Sequence, residues 1–225
     1  TYSFKDTIVY TYNNIKKDKY HNYGYEYRLY LPLYNGVQWL EIGTPEDAKF
    51  EFIPLIDEKP IVVYGTSIAQ GACASRPAMA WTSIFQRAVD YPLINLGFSG
   101  SGRLDPPIMN LINEIEARLY ILDCIPNLTY EHEKEIEERV YNAVKLLRSK
   151  HDTPILLVEH GGYSNGGSDT ISYQKYVTAN KRSRAAYEKI TTEHTPCAKS
   201  ATREENNTSP HSRVDHVHAP DLGMK

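Results

Sequence analysis

Residues 61 to 71 read I-V-V-Y-G-T-S-I-A-Q-G. Four apolar or β-favouring residues run into Gly65-Thr66-Ser67, and a helix entry and helix follow up to Val89. This is a strand delivering a serine to a turn. In a parallel α/β sheet such a turn lies at the carboxyl edge, where these folds place ligands and chemistry. Gly65 and Gly71 allow the turn to be tight. The simpler alternative is that the serine only caps the helix that follows.

From Lys59 onward, short apolar runs alternate with helical stretches. The runs Ile61 to Tyr64, Leu93 to Leu96, Leu119 to Cys124 and Ile155 to Val158 are strand candidates. Between them Ala78 to Val89, Pro106 to Glu116, Tyr130 to Lys150 and Gln174 to Ile190 are predicted helices. The third carries Ile136, Val140, Val144 and Leu147 on one face, and its glutamates mark a solvated surface. Such alternation predicts right-handed βαβ units, a parallel sheet and a three-layer α/β/α domain. Residues 191 to 214 are polar, and no fifth core strand is legible there.

The first 57 residues differ. Nine of the 18 tyrosines lie within the first 34 residues. Tyr25 to Leu33 alternates loosely, Asn35-Gly36 signals a hairpin, and Val37 to Ile42 and Ala48 to Leu55 supply further strands. We therefore expect residues 1–57 to be the C-terminal part of an all-β sandwich or jelly-roll domain, and residues 58–225 to be the α/β domain. With Thr1 first and no initiator methionine or signal peptide, the chain reads as a trimmed or partial product. The tyrosines could stack on sugars, although strand filler is their simpler role.

Composition excludes several function classes. The 225 residues are 41% hydrophobic with a formal net charge of -3, ordinary for a globular protein. No basic cluster interleaves with aromatics, so no nucleic-acid partner is expected. No apolar run approaches the roughly 18 residues of a membrane span. Cys73, Cys124 and Cys197 are scattered and offer neither a disulfide framework nor a zinc signature. The glycines at 97, 100 and 102 match neither phosphate-binding spacing, and no Walker lysine is present, so no nucleotide or other cofactor is expected. Asp215, His216 and His218, with His160 further off, raise a metal site only weakly, because no second ligand cluster accompanies them, and none is predicted.

The strand ends hold a recognisable set. The first carries Ser67; the second opens into N-L-G-F-S-G-S-G at residues 95 to 102; the third ends in D-C-I-P-N at residues 123 to 127. Near the end of the chain stand Asp215 and His218, in D-H-V-H. Serine acyl transfer needs these groups: a nucleophile, a base, a carboxylate that orients the base, and donors for an oxyanion.

In these four blocks the chain resembles the SGNH or GDSL-type hydrolases, in the branch with a β-sandwich before the catalytic domain. The resemblance implies a flavodoxin-like sheet and a carboxylic ester hydrolase with Ser67 as nucleophile, His218 as base and Asp215 as its orienter. Gly100 and Asn127 would serve the oxyanion hole. It implies small acyl, above all acetyl, esters as substrates, plausibly on carbohydrate, and an exported location. Thr66 stands where the family name has Asp, and His216 and Ala219 stand where the last block usually has Gly and Pro. The competing expectation is a catalytically impaired domain that binds glycans. Oligomeric state is not predicted.

Overall fold

A computed structural model describes residues 9–11, 27–52, 54, 57–129, 132–193 and 198–202. The chain divides into two units, Thr1–Ile56 and Asp57–Lys225.

The larger unit is built on β1 (Ile61–Gly65), which is buried along its whole length. The other strands are β2 (Leu93–Gly97), β3 (Leu119–Asp123), β4 (Ile155–Val158) and β5 (Ala198–Ala201). They form one sheet in the order β2-β1-β3-β4-β5, with every pairing parallel. The central strands are continuous apolar runs because helices cover both of their faces.

The helices are α1 (Ser67–Gln70), α2 (Trp81–Val89), α3 (Pro106–Ile112), α4 (Ile136–Arg148) and α5 (Thr170–Thr192). Alternate residues of β1 sort the two faces. Val62 and Tyr64 join Met109, Ile112, Val140, Val144, Leu147, Ala186 and Ile190 beneath α3, α4 and α5. Ile61, Val63 and Ile121 pack with Ala69, Trp81, Phe85 and Val89 beneath α1 and α2. The expected three-layer α/β/α domain is therefore present.

Its details depart from expectation at several points. The fifth strand, A-K-S-A, exists but lies at the sheet edge, where one face meets solvent, as Lys199 does, and no apolar run is needed. Helix α5 starts at Thr170 rather than Gln174, because Asp169 caps it: its Oδ1 accepts from the backbone N–H of Ile171 at 3.0 Å and of Ser172 at 3.2 Å. Helices α2 and α4 start later than expected, each preceded by a separate 3₁₀ turn, Pro77–Met79 and Glu133–Glu135. Helix α3 ends at Ile112, short of Glu116.

In the N-terminal unit, no strand forms among the described residues 27–52. The hairpin expected around Asn35-Gly36 is a bend, and the stretches 37–42 and 48–52 are unpaired. Their apolar side chains are exposed, Trp39 by 58% and Phe52 by 82%. Alternation supplies a face, but a strand also requires a ladder partner, and the described residues provide none here.

Candidate active site

The sheet order puts β1 between β2 and β3, so the chain turns in opposite directions on leaving β1 and on entering β3. In this doubly wound order the crevice between β1 and β3 is the ligand-binding switch point. Register brings three strand ends level there: Gly65 pairs with Gly97 on one side and with Asp123 on the other.

Ser67 begins α1 and is 8% exposed. It does not cap that helix. Thr66 does, with extended backbone and its Oγ1 accepting from the Ile68 N–H at 3.2 Å. Threonine at this position thus supplies the cap that an aspartate also could. Gly71, at φ +90°, closes the single turn with its N–H on the Ser67 and Ile68 carbonyls. The helix-capping role is therefore Thr66's.

The loop after β2 lies against this turn. Phe98 N–H donates to Gly65 O at 2.9 Å, and Ser99 N–H to the Gln70 side-chain Oε1 at 2.9 Å. Two glycines make the approach possible. A Cβ on Gly97 would sit 2.7 Å from Gln70 Cα, and one on Gly102 would sit 2.6 Å from the Gly65 carbonyl carbon and 3.0 Å from Thr66 N. Gly100 is different: nothing lies within 4 Å of an added Cβ, but its φ of +73° is left-handed. Arg103 holds the far side of the loop, its Nε donating to Gly100 O at 2.8 Å and its backbone N–H to the Tyr64 hydroxyl at 3.3 Å.

After β3 a 3₁₀ turn, Ile125–Asn127, carries the amide toward the same loop. Gly102 N–H donates to Asn127 Oδ1 at 3.3 Å. Gly102 therefore touches both the serine turn and Asn127. Of the five predicted site residues, Ser67, Gly100 and Asn127 lie on adjoining loops at one sheet edge. Asp215 and His218 lie outside the described residues, as does His216.

Buried groups flank these loops. The Asp123 carboxyl, 7% exposed, is pushed up to about 7 by burial. Burial also drives the Cys124 thiol well upward, and its Sγ lies 3.5 Å from Tyr64 O, the environment of an inert packing cysteine. His160 is buried against Tyr163 and Tyr176, its Nδ1 accepting from Gly162 N–H at 2.8 Å, while Asn180 brackets its backbone on both sides. It shapes the end of β4. Among the described residues, no group of three or more His, Cys, Asp or Glu could hold a metal ion, and no helix is long and apolar enough to cross a membrane.

Sequence reasoning missed Gln70, Gly102 and Asp123. Gln70 sits three residues after the serine on the same short helix, and Gly102 is the last glycine of its loop, but neither contact is visible without the facing segment.

A strand-end serine at the switch point, joined to a glycine-turned loop and an amide, defines an α/β fold of the SGNH-hydrolase type. The sequence profile of the GDSL-like Lipase/Acylhydrolase family matches residues 58–225, and that of the N-terminus of SGNH hydrolase-type esterases matches residues 1–50. A structure from Bacteroides ovatus ATCC 8483 described as a GDSL-like lipase is 34% identical, with a TM-score of 0.79 over 87% of this chain and 58% of that one. A salicylyl-acyltransferase from a tetracycline biosynthetic pathway is 20% identical, with a TM-score of 0.64 over 75% of this chain and 51% of that one. A carbohydrate acetylesterase from Sinorhizobium meliloti is 14% identical, with a TM-score of 0.51 over 74% of this chain and 93% of that one. No curated protein matches. The chain belongs to the GDSL-like lipase/acylhydrolase family. It spans about 58% of the length of the Bacteroides ovatus protein.

Proposed function

We propose that the protein is a serine esterase that hydrolyses small acyl esters, acetyl esters first among them. One observation carries this reading: the Ser67 turn, the Gly100 loop and the Asn127 amide are tied together through Gly102 at the β1–β3 crevice. In this reading Ser67 Oγ attacks the ester carbonyl carbon as His218 takes the hydroxyl proton, with Asp215 orienting the imidazole. The developing oxyanion is held by the N–H groups of Ser67 and Gly100 and the Asn127 amide. Collapse breaks the bond to the alcohol, which leaves with the proton from His218. Water, deprotonated by His218, then releases the acid and restores Ser67.

The alcohol portion is plausibly carbohydrate. We also propose that residues 1–57 contribute to a β-sandwich whose buried face includes Leu29, Trp39 and Phe50, each about half exposed in the N-terminal unit. An exported location follows from family resemblance.

A fluorophosphonate probe tests the central claim, since labelling requires an activated serine. Wild type should be labelled and should hydrolyse p-nitrophenyl acetate, and Ser67→Ala should do neither. A folded wild type that resists labelling would favour the competing reading, a domain that only binds glycans. Hydrolysis retained by Ser67→Ala would remove Ser67 as nucleophile.

A further inference from the structure

The loop that follows β4 and the first turns of α5 enclose an open cavity of about 580 Å³, within the range of small-molecule sites. Three tyrosines line it: Tyr163, Tyr173 and Tyr176. Tyr176 is 3% exposed and acts as the hub, with Tyr163 and Tyr173 meeting it edge-on at 6.2 and 5.4 Å between centroids. His160 stacks behind it at 5.8 Å, with 27° between the rings. The outer rings are thus held by a buried aromatic cluster, while Tyr173 keeps 42% of its surface accessible.

The rest of the lining is neutral and polar: the side chains of Ser164 and Thr170, with Gly166 and Gly167. Among the described residues, no charged side chain lines this cavity. Gly166 is needed for closeness, since a Cβ there would lie 3.4 Å from Tyr176 Cε1 and 3.1 Å from Tyr163 O. Gly167 is open, with nothing within 4 Å of an added Cβ.

One lining residue reaches the segment that follows Asn127. The Tyr163 hydroxyl and Thr129 Oγ1 are 3.2 Å apart, and Thr129 lies two residues beyond Asn127. Its loop leaves β4, two strands from β1. At about 4.8 Å per strand, the ends of β1 and β4 are roughly 10 Å apart across the sheet.

The geometry points to a binding subsite for an uncharged sugar ring of the substrate, with Tyr173 as its stacking platform. An aromatic face takes the apolar C–H face of a pyranose, the Thr170 hydroxyl meets its rim, and a described lining without charge disfavours uronic acids. The assignment rests on the esterase reading only for what the bound sugar is used for; the binding is measurable without turnover.

The test is calorimetric titration of the Ser67→Ala protein with cellohexaose, mannohexaose and xylohexaose, and with an oligogalacturonate as the charged counterpart. At least one neutral series should bind and the galacturonate should not. Tyr173→Ala should weaken that binding at least tenfold, Tyr173→Phe should leave it within about threefold, and Gly167→Trp, whose Cβ meets nothing within 4 Å and whose ring would occupy the cavity, should abolish it. Failure of all three neutral saccharides to bind, preference for the charged one, or binding indifferent to Tyr173→Ala and Gly167→Trp would overturn the subsite. Saccharide binding by a wild type that hydrolyses no ester would sink the esterase reading and leave the subsite standing. Hydrolysis of p-nitrophenyl acetate without saccharide binding would do the reverse.

Discussion

The backbone N–H of Gly102 donates to the side-chain Oδ1 of Asn127 at 3.3 Å. This bond engages the oxygen end of the amide, so in the proposed esterase the N–H2 end of Asn127 would be the one to meet an oxyanion. Asn127→Asp keeps the acceptor for Gly102 and removes that donor. We expect kcat on p-nitrophenyl acetate to fall about 100- to 1000-fold, with little change in the urea midpoint. A kcat within about threefold of wild type would remove Asn127 from the oxyanion hole.

The glycines of the same loop should fail for different reasons. Gly102→Ala drives a Cβ into the Gly65 carbonyl and the Thr66 amide, so it should destabilise by about 1–3 kcal/mol and displace the serine turn. Gly100→Ala has room, and should cost about 1–2 kcal/mol through its left-handed φ alone. Urea denaturation read beside fluorophosphonate labelling separates them. Labelling at Ser67 should slow more in Gly102→Ala than equal destabilisation accounts for, and equal slowing in both variants would count against the close approach.

The Asp123 carboxyl makes stability depend on pH. Burial holds it up to about 7, whereas an unfolded aspartate titrates near 4. Between those values the native state binds more protons than the unfolded chain, so stability falls as pH rises, and the loss is complete somewhat above pH 7. Asp123→Asn should abolish this slope and be the more stable protein at pH 8, by at most about 4 kcal/mol. Urea midpoints at pH 5 and pH 8 decide it, and a wild type that gains stability across that interval would contradict the burial argument.

What could be read from sequence follows what each residue contacts. Ile61 to Tyr64 announced β1 because both faces are buried, so every residue had to be apolar or β-favouring. Lys199 and its neighbours could not announce β5, since an edge strand with an open face needs no such run. Trp39 and Phe52 alternated like strand residues, yet pairing depends on a partner that their own spacing does not specify. The placement of Ser67, Gly100 and Asn127 at one edge of the sheet was legible from strand-end position. The Gln70–Ser99 bond and the fit of Gly102 against Gly65 were not, because each is a relation between segments about 30 residues apart or more.

Glu159 directly follows β4 with its side chain 1% exposed, and Arg184 of α5 grips it with two bonds, Nε to Oε1 at 2.5 Å and a terminal nitrogen to Oε2 at 2.8 Å. A buried carboxylate survives only while it is paired. Arg184→Met retains most of the stem and removes the partner, which for a fully buried pair costs about 3–5 kcal/mol. Arg184 is 48% exposed, so water and salt already weaken the pair, and a loss nearer 2 kcal/mol is expected. Adding Glu159→Gln to that variant should restore much of the loss, because a neutral amide replaces a buried charge that has lost the Arg184 guanidinium. Urea unfolding of the two single variants and the double variant gives the coupling directly. Additive losses would mean that the carboxylate finds other compensation and that the pair does not hold the end of β4 against α5.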